Sequence, residues 1–278
     1  MIIQFKKKKL NLSTRTHIMG ALNVTPDSFS DGGKFFKLED AVKQGMKMAE
    51  EGADIIDVGG ESTRPGSDPV SIQEELSRVI PVIEALSKKI DVPISIDTYK
   101  AEVAKRALDA GTQMINDVSA LRFDPEMKRV ASEYKVPINL MHIKGTPKNM
   151  QKDPWYEDVI LEITEYLKKS IKIARDAGID KDRIIIDPGI GFGKRLEDNL
   201  NILKNLKNFS ILGCPILVGC SRKSFIGKIL DLPVEERLEG SLAALAVAIM
   251  NGANIVRVHD VKESKRVAGL MDAILNVY

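Results

Sequence analysis

The sequence is poor in cysteine, with only Cys214 and Cys220 among 278 residues. Six positions apart on a mostly extended segment, they would sit on the order of 20 Å from each other. That is too far to bridge. No CxxC or HxxxH pair occurs, so no structural zinc site is expected. Charge of one sign is lacking too. The 41 Lys+Arg against 39 Asp+Glu leave a formal net charge of +2, which makes no general case for nucleic-acid or membrane binding. The longest apolar run, LAALAVAIM at 242–250, is too short to span a bilayer. The basic block Lys6–Lys9 leads into LNLSTRTHIMG, which is too polar for a signal-peptide core and reads as a solvated edge. A soluble chain from a reducing compartment, the cytoplasm, is the expectation.

Two phosphate-binding signatures are also missing. The stretch IIDPGIGFGK at 185–194 looks like one. A GxxxxGK[ST] loop would need glycine at Pro188 and a hydroxyl residue at Arg195; a GxGxxG would need glycine at Lys194. The glycines need another explanation.

What the chain has instead is one repeated unit. An amphipathic helix is followed by glycine, a short gap, and an apolar run ending in a polar residue. EEGADIIDV, DAGTQMINDV, DAGIDKDRIIIDP and MNGANIVRVHD all fit. Gly52, Gly111, Gly178 and Gly252 stand where a helix end favours a left-handed residue. The runs are apolar enough for parallel strands covered by helices. Eight are expected, near 16–23, 54–59, 93–97, 113–118, 137–142, 183–187, 215–220 and 254–259. Helical patterns such as EDAVKQGMKMAEE, SIQEELSRVIPVIEALSKK and KAEVAKRALDA lie between them. With no linker to split the series, residues 1–278 are expected to form a single (β/α)8 TIM barrel, an α/β fold. The competing reading, an open doubly wound sheet, has no dinucleotide fingerprint after its first strand.

Active sites of such barrels lie at the C-terminal strand ends. Here those ends carry Asn23, Asp57 with Glu61, Asp97, Asn116 with Asp117, His142, Asp187, Ser221–Lys223, and Arg257 with His259. Buried charge is costly unless paired or bound to ligand, so such a ring points to a binding mouth.

The motifs around that ring resemble the dihydropteroate synthase family from first strand to last. They are MGALNVTPDSFSDGGK (19–34), DVGGESTRPG (57–66), SIDT (95–98), INDVSA (115–120), LMHIKGTPKNMQ (140–151), DPGIGFGK (187–194), SRKSFIG (221–227) and RVHD (257–260). The resemblance implies a barrel, usually dimeric. It implies condensation of 6-hydroxymethyl-7,8-dihydropterin diphosphate with p-aminobenzoate to give 7,8-dihydropteroate and pyrophosphate. Partners would be these small molecules and a second copy of the chain.

The residues can be read beside that match. A pterin's pyrimidine edge presents two adjacent donors, which one carboxylate accepts together; Asp187 is the candidate. Lys223 can donate to the pterin carbonyl, and Asp97 and Asn116 can meet the remaining ring nitrogens. These four match the family's pterin residues. Gly189, Gly191 and Gly193 then turn the chain sharply after Asp187 without filling the pocket. By resemblance Phe192 and the Arg222 side chain stack near the pterin, and Met141 adds a soft wall. For the diphosphate, Arg257 and His259 lie two apart on one strand and so share a side. Arg64 could join them. Asn23 could hold Mg²⁺ through its amide oxygen, since a hard ion that keeps much of its water suits asparagine and phosphate.

The loops after strands one and two are expected to be long and mobile. The first carries Phe29 and Asp31, the second Thr63, Arg64 and Pro65. By resemblance they build the p-aminobenzoate site with Arg222 and Ser224. Catalytic roles are implied for Asp97, Lys223, Asp31 and Arg64. The reaction would need no protein nucleophile, and Cys220 would be pocket wall. A Schiff-base aldolase on Lys223, a methyltetrahydrofolate-dependent methyltransferase and a non-catalytic pterin-binding module are the competing readings. The diphosphate set Asn23, Arg257 and His259 weighs against the last two.

Overall fold

The computed structural model describes residues 1–6, 8–25 and 34–277, and of residues 34–37 the backbone only. A β-hairpin comes first, β1 (Ile2–Gln4) and β2 (Lys9–Asn11). Alternating units follow: β3 (His17–Asn23), α1 (Lys34–Glu50), β4 (Ile55–Gly59), α2 (Ile72–Leu86), β5 (Ile94–Asp97) and α3 (Ala101–Ala110). Next come β6 (Met114–Asp117), α4 (Met127–Tyr134), β7 (Ile138–Met141), α5 (Val159–Asp176), β8 (Ile184–Asp187) and α6 (Leu196–Lys204). The chain ends with β9 (Leu217–Val218), α7 (Ser224–Leu230), α8 (Leu238–Met250), β10 (Ile255–Val258) and α9 (Val261–Leu275).

The eight strands β3–β10 are parallel, in the order β8-β7-β6-β5-β4-β3-β10-β9. A parallel bridge between Ile186 and Ile216, with the Ile186 amide on the Pro215 carbonyl at 2.9 Å, brings the two edges together. The result is the expected (β/α)8 barrel. Gly52, Gly111, Gly178 and Gly252 all have positive φ, as their places after helices require. The seventh barrel strand is shorter than its apolar run. Pro215 has no N–H to give a ladder, and regular pairing is confined to Leu217–Val218.

Period-two alternation divides the strands into two cores. Ile18, Leu22, Ile56, Val58, Ile94, Ile96, Ile115, Leu140, Ile186 and Val256 face outward into the sheet–helix core. Met19, Ile55, Met114, Ile185, Leu217 and Ile255 face inward at the N-terminal end of the barrel. Ile3, Phe5, Leu10 and Leu12 of the hairpin close over them. Lys8 and Lys9 thus belong to a plug, with the Phe5 amide on the Lys8 carbonyl at 2.8 Å and Lys9 paired with Gln4. Lys6, Lys8 and Lys9 are exposed, as a solvated edge should be, while the apolar residues flanking them seal the barrel. The hairpin was not visible as such, because its strands are three residues each.

Cys214 and Cys220 are free and buried. Among the described residues no helix is long and apolar enough to cross a membrane.

Candidate active site

Two residues further along the same inward rows, the barrel interior changes from apolar to charged. Asp57 follows Ile55, Asn116 follows Met114, Asp187 follows Ile185, and Arg257 follows Ile255. Ser95, Asp97 and Asn139 complete this layer, and all but Arg257 are buried. The register aligns Asn23 with Gly59, Gly59 with Asp97, Asp97 with Asn116, and Asn116 with Asn139. Residues far apart in sequence therefore form one rising row around the mouth.

Hydrogen bonds join much of this layer. Arg257 Nε donates to Asp57 Oδ2 at 2.6 Å and Nη2 donates to Asp97 Oδ2 at 2.8 Å. Asn116 Nδ2 donates to Asp57 Oδ2 at 2.9 Å, and Asn139 Nδ2 donates to Asn116 Oδ1 at 2.8 Å. Asp57 Oδ1, Asp97 Oδ1 and Asn139 Oδ1 are buried without a protein partner. Unsatisfied acceptors of this kind are costly in a finished core and call for a donor-bearing ligand or water.

The charges respond to burial. It pushes the Asp97 carboxyl well above the usual carboxylate range despite Arg257. Asp187 is pushed up to about 6, opposed by the Gly189 N–H and by Lys223. Burial, helped by Arg257, pulls Lys223 down to about 8. For Arg257 burial acts downward, but Asp57 and Asp97 outweigh it and its pKa is raised. His259 falls to about 4, through burial and the neighbouring Arg257.

Asp187 accepts from the Gly189 amide at 2.7 Å through Oδ1, and among the described residues Oδ2 accepts no hydrogen bond. Among the described residues no carboxylate lies within 4 Å of Lys223 Nζ, which rests over the Phe192 ring, 4.2 Å from its centroid. Asp187 and Lys223 are therefore not spent on each other. Phe192 packs on a small cluster containing Met141, Val118, Ile143 and Met150.

The glycine-dense stretch has a steric reason. A Cβ on Gly189 would lie 2.0 Å from the His142 carbonyl oxygen, and one on Gly193 would lie 2.3 Å from that of Lys144. Both residues also have positive φ. The loop carbonyls are held from three directions. Gln151 Nε2 donates to Gly191 O, Lys194 Nζ to Phe192 O, and the Tyr156 hydroxyl to Gly193 O, at 2.7, 2.9 and 2.7 Å. Lys194 is buried, with its amine also 2.9 Å from His142 Nδ1. Burial holds its pKa well below that of an ordinary lysine. The loop lysine thus serves the loop's own backbone.

The remaining candidates divide. His259 Nδ1 lies 3.0 Å from Ser221 Oγ. Arg222 forms a two-point ion pair with Asp260, at 2.7 and 3.0 Å, and Ser224 is exposed at the start of α7. Asn23 ends β3, and its side-chain amide makes no hydrogen bond among the described residues. Thr63, Arg64 and Pro65 are at the tip of the loop after β4. That tip is tied by the Gly66 amide to the Pro147 carbonyl at 2.9 Å. Phe29 and Asp31 lie outside the described residues. Asp117 and His142 turn away from the mouth. Asp117 accepts from Ser119 and from the Leu121 amide, capping its own turn.

Asn139 was missed, although a lone polar residue two before Met141 in an apolar strand is a signal for the inner row. In the sequence Asp57 is one strand end among many. Its partnership with Arg257 spans 200 positions and has no local signal.

A family model described as "Pterin binding enzyme" matches residues 19–259. A dihydropteroate synthase of Bacillus subtilis is 51% identical over 275 residues, 99% of this chain and 94% of that one. The structure of Xanthomonas albilineans dihydropteroate synthase with 4-aminobenzoic acid superposes with a TM-score of 0.94 at 45% identity, covering 100% and 99% of the two chains. The same organism's enzyme in complex with 7,8-dihydropteroate gives 0.90 at 42%, covering all of both chains. With a matching model that spans the barrel and relatives this similar from end to end, the chain belongs to the pterin binding enzyme family, among the dihydropteroate synthases.

Proposed function

We propose that this chain condenses 6-hydroxymethyl-7,8-dihydropterin diphosphate with p-aminobenzoate, releasing 7,8-dihydropteroate and pyrophosphate. It is a transferase of folate biosynthesis. The carrying observation is the unspent pair Asp187 and Lys223 at the mouth, above buried acceptors that lack donors. A dihydropterin offers the complementary pattern. Its amino group and ring N–H meet the Asp187 carboxylate, its carbonyl accepts from Lys223, and Asp97 and Asn116 take the remaining ring positions. Phe192 and Met141 wall the ring. Relatives bound to 4-aminobenzoic acid and to 7,8-dihydropteroate support the amine substrate and the product.

The reaction is substitution at the pterin methylene. The C–O bond to diphosphate breaks, and the electron-rich ring carries the resulting positive charge. Asp97, held by Arg257, is the nearby negative partner. The amine nitrogen then forms the C–N bond and loses a proton. Arg257 keeps N–H donors beyond the two given to Asp57 and Asp97, and these with His259 and Arg64 receive the leaving diphosphate. An anion beside His259 favours its protonated ring, offsetting the burial that holds it neutral. Arg222, Ser224, Thr63 and Pro65 border the amine.

Asn23 suits one position of a Mg²⁺ ion, because among the described residues its amide oxygen accepts no hydrogen bond. Among the described residues no three His, Cys, Asp or Glu gather to form a protein cage. Diphosphate and water would complete the ion's oxygen shell. When bound, Mg²⁺ would neutralise leaving-group charge.

A homodimer in the cytoplasm is part of this reading. Leu200, Ile229, Leu230 and Val247, each 41–50% exposed, form an apolar face across α6, α7 and α8. Sedimentation of Val247→Glu, compared with the parent, tests that face; an unchanged dimer removes it.

The deciding assay is pyrophosphate release from dihydropterin diphosphate and Mg²⁺, with and without p-aminobenzoate. Amine-dependent release with a pteroate-mass product is the expected result. Release without amine dependence overturns the second substrate. Tight pterin binding without release favours a binding module or a methyltransferase.

A further inference from the structure

The loop after β4, residues 60–70, is closed at its neck by a lysine that the catalytic reading does not use. Lys100, the residue before α3, places Nζ 2.7 Å from Glu61 Oε2, 2.6 Å from Glu75 Oε2 and 2.7 Å from the Val70 carbonyl. All the hydrogens of its ammonium are thereby used. Glu61 Oε2 also accepts from the Val70 amide at 2.8 Å. One carboxylate and one ammonium thus join the two ends of the loop to each other and to α2. The side chains of Lys100, Glu61 and Glu75 are 12%, 6% and 1% exposed, so solvent and salt screen the cluster little. Arg78 Nη1 donates to the Gly60 carbonyl at 2.7 Å, fixing the entry to the neck.

Above the neck the loop is folded on itself. Ser67 Oγ donates to the carbonyls of Ser62 and Arg64, at 2.5 and 2.8 Å. The tip meets the loop after β7 through Gly66 and through an exposed Lys148–Asp68 pair. Thr63, Arg64 and Pro65 therefore sit on a short arch with a buried staple at its base. Exposed tip contacts contribute little, so the staple fixes where the arch stands.

We propose that Lys100 is a positioning residue for the second substrate: by stapling Glu61 and Val70 it sets the 62–69 arch over the barrel mouth. This rests on the reading that the arch borders the aromatic amine. The pterin-ring groups Asp97, Asn116, Asp187 and Lys223 stand on other strands, and of the arch only Arg64 is assigned to the diphosphate, so the amine and a dihydropterin without diphosphate, the calorimetry ligand, should respond differently.

The test is Lys100→Met, with KM measured for each substrate, pterin binding by calorimetry, and amide exchange across 60–70. The amine KM is expected to rise roughly tenfold or more, since small misplacements are costly. Pterin affinity should stay within about threefold, and exchange should accelerate in 60–70 only. Lys100→Arg, which keeps charge and donors, should recover most of the amine KM. If the single variant fails to fold, Lys100→Met with Glu75→Gln removes the charge it strands, and the same quantities are read. Unchanged exchange in 60–70 overturns the staple. Faster exchange with an unchanged amine KM, or equal losses for both substrates, overturns the positioning role. A parent chain without amine-dependent release overturns the functional reading, while exchange in 60–70 still reports on the staple.

Discussion

The two ends of the barrel interior are built from the same strands and differ in everything that matters energetically. At the N-terminal end Met19, Ile55, Met114, Ile185, Leu217 and Ile255 meet a hairpin plug and exclude water. One pleat higher, Asp57, Asn116, Asp187 and Arg257 occupy the same rows, with acceptors left unpartnered. The lower layer recovers free energy by burying apolar area. The upper layer costs free energy, because charges are desolvated and only partly paired. A mouth of this kind is stable because the plug and the outer core carry the fold. Its strain is released when a ligand supplies the missing donors. Binding and stability are thus separated by roughly 7 Å of strand, two residues of rise.

The largest expected effect lies at the mouth. Asp187→Ala and Lys223→Ala should each lower kcat/KM by roughly a thousandfold or more, on the order of 4 kcal/mol. Circular dichroism should show the barrel intact. Near-normal turnover in either variant removes the site assignment. Next is the plug. Phe5→Ala should cost about 3–5 kcal/mol in denaturant unfolding, while kcat/KM of the folded fraction stays near the parent value. A matching loss of catalysis would show that the two ends are coupled.

Asp187→Asn sharpens the comparison by separating function from stability. A carboxyl with a raised folded pKa stabilises the fold only below its unfolded pKa, and that contribution is lost as pH rises through about 6. The amide variant cannot ionise. It should be inactive yet more stable than the parent above pH 6, by roughly 1–3 kcal/mol. Its advantage should vanish as pH falls into the ordinary aspartate range. Equal stability at all pH values would show that Asp187 is not strained by burial.

The same groups predict a bell-shaped kcat/KM for the pterin substrate. Activity should fall on the acid side as Asp97 and then Asp187 gain protons, at about 7 and about 6, and above about 8 as Lys223 loses one. A profile flat across this range would exclude all three from the limiting ionisations. The smallest effect is expected at Cys220, whose thiol burial pushes up to about 12. Cys220→Ala should keep most activity, and a large loss would reopen covalent chemistry.

Much of this was legible in one dimension. Eight apolar runs separated by helices and left-handed glycines imply the barrel, because parallel strands need crossovers and helix ends need an αL residue. Strand-end polar residues imply a mouth, because the fold exposes those ends together. The hairpin plug was not legible. Strands of three residues carry too little periodicity, and their apolar side chains gain meaning only from the barrel end they cover.

The sequence by itself determined which residue types reach the mouth, because strand period and barrel topology are local properties repeated eight times. It also determined the glycines after Asp187, where close backbone approach leaves no room for a Cβ. Only the tertiary structure decided the partnerships. Arg257 with Asp57 and Asp97, Asn139 behind Asn116, Lys194 under the Phe192 carbonyl and Lys100 at the loop neck are choices among several equally plausible charges. Coulomb energy and desolvation depend on distances of a few ångströms between residues as many as 200 positions apart. Chain order does not encode those distances until the barrel closes.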